Sequence, residues 1–282
     1  RRQRQMCIRD RPKGYAAPEF VGPDTLVFAV SFSGNTEETV EAATEAARRG
    51  ARMVVIAAGG EMARLSEEWG AVHVPVVEGI PMPRAGIGAV SITPLVILER
   101  MGLVTGIRAD IDSAVRQLRL RADELRAPDS TAATLARRIG RTMPIIYGGG
   151  VLGEVAAQRW KGQFNENAKV PAFTNRIPEL THNEICGWGQ HGDVTRQVFT
   201  LLLLRHDSEH PQTARRFGMV AEIMEEVVAG VHEVRASGDT LLAQLYDLIL
   251  LGDFVSLELA ALTEVDPGPV PILDELKVAL RR

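Results

Sequence analysis

Cysteine is scarce: only Cys7 and Cys186 occur among 282 residues. A disulfide framework is therefore not expected, and a reducing cytosol is the natural compartment. Long apolar runs are also missing. None reaches the roughly 18 residues that a membrane span requires, so no membrane partner is expected. Positive charge is not in excess. Lys and Arg number 32 against 36 Asp and Glu, for a net charge of -4. A nucleic-acid partner calls for a concentrated basic surface, so none is expected. His73, His191, His206, His210 and His232 stand at no spacing that matches a cysteine or carboxylate, so a metal site has no support. What remains is ordinary in amount. Hydrophobic residues make up 45% and charged residues 24%, as in a globular protein with a sizeable core and one large or two average domains.

The opening segment "RRQRQMCIRDRPKG" is basic but has no apolar stretch behind it, and it does not read as a signal peptide. It reads either as a solvated basic tail or, because "MCIRDR" resembles the translation of a transposon adapter used in shotgun sequencing, as a non-native tail over residues 1–11. Regular alternation begins afterwards. Leu26 to Val30 and Met53 to Ala57 are short apolar runs of buried-strand type. Asn35 to Arg49 reads as a helix, with Glu37 and Glu38 near its positive end and Gly50 as its stop. "EMARLSEEW" follows as a helix, "AVHVPV" as a strand, and two further helices run to Leu125. The cluster "RAPDSTAAT" marks a boundary. After it the pattern restarts: "MPIIYGGG" as a strand, "VLGEVAAQRWKGQFNENA" as a helix, then two more strand–helix pairs and a proline-rich linker before a last short helix. Strands and helices alternating in this way indicate α/β architecture with parallel sheets covered on both faces.

Ser31 to Thr36, "SFSGNT", falls where the first strand gives way to a helix. Ligands of open parallel sheets bind at such carboxyl ends. The helix offers unpaired N–H groups, Gly34 permits close backbone approach, and Ser31, Ser33 and Thr36 add hydroxyl donors. These residues suit a phosphate cradle that uses no lysine. They equally suit an ordinary helix cap, and local chemistry leaves both readings open.

The pattern Ser-x-Ser-Gly-x-Thr-x-Glu in "SFSGNTEET" resembles the signature loop of the SIS (sugar isomerase) domain. The resemblance implies a doubly wound sheet that binds phosphosugars, with Ser31, Ser33, Gly34, Asn35 and Thr36 at the phosphate. A second stretch, "KGQFNENAKVPAFTNRIPELTHNEICGW", is similar to the bifunctional phosphoglucose/phosphomannose isomerases, which are built from two SIS domains. That resemblance implies a first SIS domain over 1–126 and a second over 127–282 with its C-terminal helix. It implies Glu166 in "NENAK" as the catalytic base. His182 in "ELTHNE" would assist ring opening and be supplied by the partner subunit of a homodimer. Lys277 in "LDELKVAL" would join it, and Arg84 in "PMPRAGIG" would lie near the reacting carbons.

The chemistry asks for these residue types. Aldose–ketose isomerisation moves one proton between C1 and C2 through an enediolate. It needs a base that serves both carbons, a cation for the enediolate oxygen and a group that opens the ring. No metal or organic cofactor is required. Each residue also has a plain structural reading: Glu166 as a solvated helix residue, His182 as a turn cap, Arg84 as a surface ion pair, Lys277 on a solvated helix face. Arg137, Arg138 and Arg141 read as a solvated face, and Cys186 as a small core residue. "YGGG" at Tyr147 to Gly150 lacks hydroxyl donors, so no second phosphate site is expected.

Two other functions compete. A non-catalytic phosphosugar-binding SIS protein would leave Glu166 and His182 superfluous, and no helix-turn-helix segment accompanies it. An aminotransferase-type sugar synthase would need a glutamine-hydrolysing domain. One departure from the family pattern also stands out. No strand with a glycine-serine loop precedes Leu26. The first domain is therefore expected to be truncated at its N-terminus, and the chain as written to be poorly stable or inactive.

Overall fold

The computed structural model describes residues 14–280; the expected tail at 1–11 and Cys7 lie outside the described residues. Two compact units form, one extending to Ile107 and the other starting at Arg108. In the first, β1 (Leu26–Val30), β2 (Arg52–Ala57) and β3 (Val72–Pro75) form a parallel sheet in that spatial order. They alternate with α1 (Glu37–Arg48), α2 (Gly60–Glu68) and α3 (Ile87–Arg100). Side chains of a strand point alternately to opposite faces. Met53, Val55 and Ala57 of β2 therefore pack with Ala43 and Ala46 of α1 and Met62 of α2. Val54 and Ile56 meet Ala89, Val90 and Ile97 of α3 on the other face. Burial on both faces is why "MVVIA" is apolar throughout rather than alternating. α1 starts at Glu37, not at Asn35, and Gly50 ends it with φ +81°, as a left-handed stop.

The second unit carries α4 (Ile107–Leu125) from its start, α5 (Thr131–Ile139), β4 (Met143–Gly149), α6 (Gly150–Gln163), β5 (Phe173–Ile177), α7 (Gly192–Val198), β6 (Phe199–Arg205), α8 (Pro211–Glu225), β7 (Gly230–Arg235), α9 (Leu241–Leu262) and α10 (Pro271–Leu280). Its strands pair in the order β5-β4-β6-β7, all parallel. Leu202 and Leu204 face α5, α6 and α9, while Leu201 and Leu203 face Phe217, Val220 and Met224 of α8. All four leucines are essentially fully buried. Each such side chain contributes about 1.5–3 kcal/mol by leaving water. The doubly wound α/β reading is thus the observed architecture.

Three elements depart from the sequence reading. "RAPDSTAAT" is not only a boundary: Ser130 caps α5, its Oγ accepting from the Ala133 N–H at 3.1 Å. The helix buries Ala132, Leu135, Ala136 and Ile139 and leaves Arg137 and Arg138 exposed. β5 has the polar sequence Phe-Thr-Asn-Arg-Ile and lies at the sheet edge, so it carries no strong strand signal. α7 is a short helix of low hydrophobicity.

α4 is tied to the rest of its unit by a buried carboxylate. Asp247 of α9 is fully buried. It accepts from the Ser237 N–H at 2.9 Å and from Gln117 at 3.4 Å, and pairs with Arg121 at 3.3 Å. Burial raises its pKa despite these donors. Between the ordinary carboxylate pKa and the raised folded value, the unfolded chain loses the proton while the folded chain keeps it. Stability from this group is therefore greatest below that window and falls as pH rises through it. The stability difference between wild type and Asp247→Asn, measured by urea denaturation across pH 4–7, should shift against the wild type as pH rises and level off above the window.

Candidate active site

The serine loop is built by short-range hydrogen bonds. Ser31 is buried, and its Oγ shares a 2.8 Å hydrogen bond with Thr36 Oγ1 while accepting from the Gly34 N–H at 3.1 Å. Ser33 Oγ accepts from the Asn35 N–H at 3.2 Å. The loop carbonyls are occupied elsewhere. Phe32 O accepts from Ala58 N–H at 2.9 Å, Gly34 O from Met62 N–H at 3.0 Å, and Asn35 Oδ1 from Glu61 N–H at 2.9 Å. With acceptors taken, the hydroxyls are the groups left to donate. The Ser31–Thr36 bond uses one hydroxyl hydrogen of the two, and Ser33 retains its own. Thr36 sits at the N-cap of α1 and makes no side-chain cap, so its side chain does not satisfy the first-turn N–H groups. Glu37 and Glu38 share that turn, so attraction for an anion comes from these donors rather than from net charge.

Gly34 is required by its surroundings. Its φ is +78°, and a Cβ there would sit 1.8 Å from the Gly59 carbonyl oxygen. Gly86 has a comparable role. A Cβ on it would come 2.4 Å from the Phe32 ring. The 3₁₀ turn Pro83–Gly86 that carries Arg84 is thereby packed against the serine loop. Arg84 is partly buried on that turn.

In the second unit, Glu166 does not lie on a regular α-helix. α6 passes directly into one turn of π-helix, Phe164–Ala168, before Lys169 reverses the chain at φ +56°. Single π turns occur often at functional sites. Glu166 is partly exposed, while Phe164, Asn167 and Ala168 on the same turn are buried. Lys169 Nζ donates to the Glu166 carbonyl at 2.5 Å, closing the turn.

His182 ends the 3₁₀ turn Glu179–His182 and is exposed. It makes no hydrogen bond or ion pair among the described residues. Its neighbours are fixed on both sides. Leu180 is fully buried, and Thr181 accepts from Arg216 of α8 at 2.5 Å. Glu184, in the next 3₁₀ turn, accepts from the Tyr147 hydroxyl and from Asn175 at 2.6 Å. Burial, followed by the Glu184 carboxylate, pushes the Tyr147 pKa up, which keeps its hydroxyl a donor. Glu184 belongs to the "ELTHNE" stretch, where residue pattern alone points to no role for it. Cys186, expected in the core, is exposed on the same turn. Lys277 is exposed on α10 and pairs with Asp274 of its own helix at 3.2 Å, not with the Glu166 turn.

The "YGGG" glycines serve packing. A Cβ on Gly148 would lie 2.0 Å from the Gly153 carbonyl oxygen, and one on Gly149 would lie 2.8 Å from the Phe217 ring. His206 Nε2 meets the Gly149 carbonyl at 2.9 Å.

Comparison with known proteins agrees with this architecture. Residues 18–92 match the SIS domain family, and residues 128–280 match the family described as the bacterial phospho-glucose isomerase C-terminal SIS domain. A bifunctional phosphoglucose/phosphomannose isomerase of Caldicellulosiruptor bescii is 36% identical over 269 residues, 94% of this chain and 79% of that protein. Its counterpart in Aquifex aeolicus is 31% identical over 270 residues, 96% of this chain and 80% of that protein. Among solved structures, a glucose-6-phosphate isomerase like protein from Thermus thermophilus has the same fold. It aligns with TM-score 0.65 at 23% identity, over 89% of this chain and 79% of that one. With these identities and coverages, the chain belongs to the bifunctional phosphoglucose/phosphomannose isomerase family.

Proposed function

We propose that the chain is an aldose–ketose isomerase that interconverts glucose 6-phosphate, mannose 6-phosphate or both with fructose 6-phosphate through an enediolate. The observation that carries this reading is Glu166, a partly exposed carboxylate on a π turn anchored by the buried Phe164, Asn167 and Ala168. A carboxylate held in this way suits a base that takes a proton from C2 and returns it to C1. Arg84 supplies the cation for the enediolate oxygen. Ser31, Ser33, Gly34, Asn35 and Thr36 hold the phosphate, so that binding energy remote from the reacting carbons orients them. His182 opens the sugar ring, with Lys277 beside it in that step.

His182 is exposed with no partner among the described residues, on a turn pinned by Leu180, Thr181 and Glu184. This supports a homodimer in which His182 serves the other subunit. The exposed free thiol of Cys186 suits a reducing cytosol. Among the described residues no helix is long and apolar enough to cross a membrane. The division into SIS domains over 1–126 and 127–282 belongs to the same proposal, and the family matches at 18–92 and 128–280 support it.

Two variants test the reading in protein expressed from its complete reading frame. Glu166→Gln should lower turnover of fructose 6-phosphate by about 10²–10⁴-fold with phosphosugar binding retained, while unchanged turnover removes Glu166 from the reaction. Gly34→Ala should lower stability by about 2–4 kcal/mol and weaken phosphosugar binding at least about tenfold, because both φ and the Gly59 carbonyl forbid a Cβ. Thermal melts and calorimetric titration with fructose 6-phosphate check this.

A further inference from the structure

The π turn that carries Glu166 is held to α9 by a buried polar relay. Asn167, the next residue, is 3% exposed. Its side-chain amide donates to Ser256 Oγ at 2.9 Å, and Ser256, fully buried, donates in turn to the Asp253 carbonyl at 2.7 Å. A hydroxyl is needed at 256, since the group must accept and donate at once. Two contacts brace the helix just before the turn. Arg159 makes a bidentate pair with the Asp253 carboxylate at 3.0 and 2.8 Å. The Trp160 indole N–H donates to the Leu248 carbonyl at 2.7 Å.

Neighbouring residues on a helical turn point roughly 80–100° apart. Fixing Asn167 against α9 therefore fixes the direction in which Glu166 leaves the turn. A π turn has poorer internal hydrogen bonding than an α-helix and needs an external hold of this kind. We infer that Asn167 and Ser256 are positioning residues for the isomerase base: their buried hydrogen bond sets the orientation of Glu166. This assignment rests on Glu166 being the base.

The test separates positioning from plain core stability. Removing one partner leaves a buried donor or acceptor unpaired, whereas replacing both by apolar groups can be nearly neutral. Wild type, Ser256→Ala, Ser256→Thr, the double variant Asn167→Leu/Ser256→Ala, and Glu166→Gln are compared in protein expressed from its complete reading frame. Turnover of fructose 6-phosphate is expressed per folded molecule, with the folded fraction taken from near-ultraviolet circular dichroism at the assay temperature. The double variant should lose about 10–100-fold in kcat with KM within about threefold, since small misplacement of a reacting group is costly in rate. The acidic limb of its kcat–pH profile should move as well. Ser256→Thr, which keeps the hydroxyl, should recover most of the turnover lost in Ser256→Ala. Adding Glu166→Gln to the double variant should bring little loss beyond that of Glu166→Gln alone. A double variant with wild-type kcat and pH profile per folded molecule overturns the positioning role while Glu166→Gln remains inactive. Wild-type turnover in Glu166→Gln overturns the reading of the base instead.

Discussion

One ridge of α9 organises the second unit. Gln244, Leu248, Gly252 and Ser256 recur every fourth residue and so lie on one side of the helix. Gln244 accepts from the Asp207 N–H at 3.0 Å and donates to the Asp207 carboxylate at 2.9 Å and the Gly238 carbonyl at 3.0 Å. Leu248 supplies the carbonyl for Trp160. At Gly252 a Cβ would lie 2.4 Å from the Trp160 indole nitrogen, so only glycine lets that ring approach. Ser256 holds Asn167. The loops after β6 and β7, the body of α6 and the Glu166 turn are thus referred to a single rigid surface. Every one of these polar groups is paired, as buried groups must be to avoid a desolvation penalty of about 1–3 kcal/mol each.

The two sheets share a plan and use it differently. At the carboxyl end of β1 the loop keeps Ser33 exposed, and Thr36 makes no side-chain cap to the first turn of α1. In the second sheet the chain moves from β4 to β5 on one side and to β6 on the other, which makes the β4/β6 end the switch point where ligands of such folds bind. There the chain's own groups are already paired. Glu209 accepts from Arg205 at 2.8 Å and from the His206 N–H at 3.0 Å. His206 also bonds Ser208 at 2.8 Å and meets the Gly149 carbonyl. A carboxylate of the protein occupies donors of the kind a bound anion would use.

Much of the fold was legible from residue pattern. β1, β2, β4 and β6 are apolar runs because both faces of their sheets are covered, and the helices between them carry the expected period. β5 was missed because an edge strand need not be apolar. α5 was missed because the Ser130 cap and its polar neighbours look the same as a domain break. The π turn left no trace in composition: "FNENA" continues the helical pattern of α6, and the extra residue is visible only in the backbone. The site residues were individually ordinary, and the resemblance of their motifs to the isomerase family carried their reading. Their supports were illegible because the partners lie far along the chain. Asn167 is held by Ser256, and Glu184 by Tyr147 and Asn175. Cys186 was misassigned because small size suits a core, yet on its turn it is Ile185 and Trp188 that pack against the core while Cys186 is exposed.

In the proposed reaction a carboxylate passes a proton between C1 and C2 through an enediolate. Isomerisation in heavy water tests it most directly, with deuterium at C2 of the aldose phosphate followed by NMR over many turnovers. Deuterium should accumulate at C2, because a proton held on the proposed base, Glu166, would exchange with solvent during some passages. Interconversion at full rate with no deuterium at C2 after prolonged turnover would indicate a direct hydride shift and contradict it.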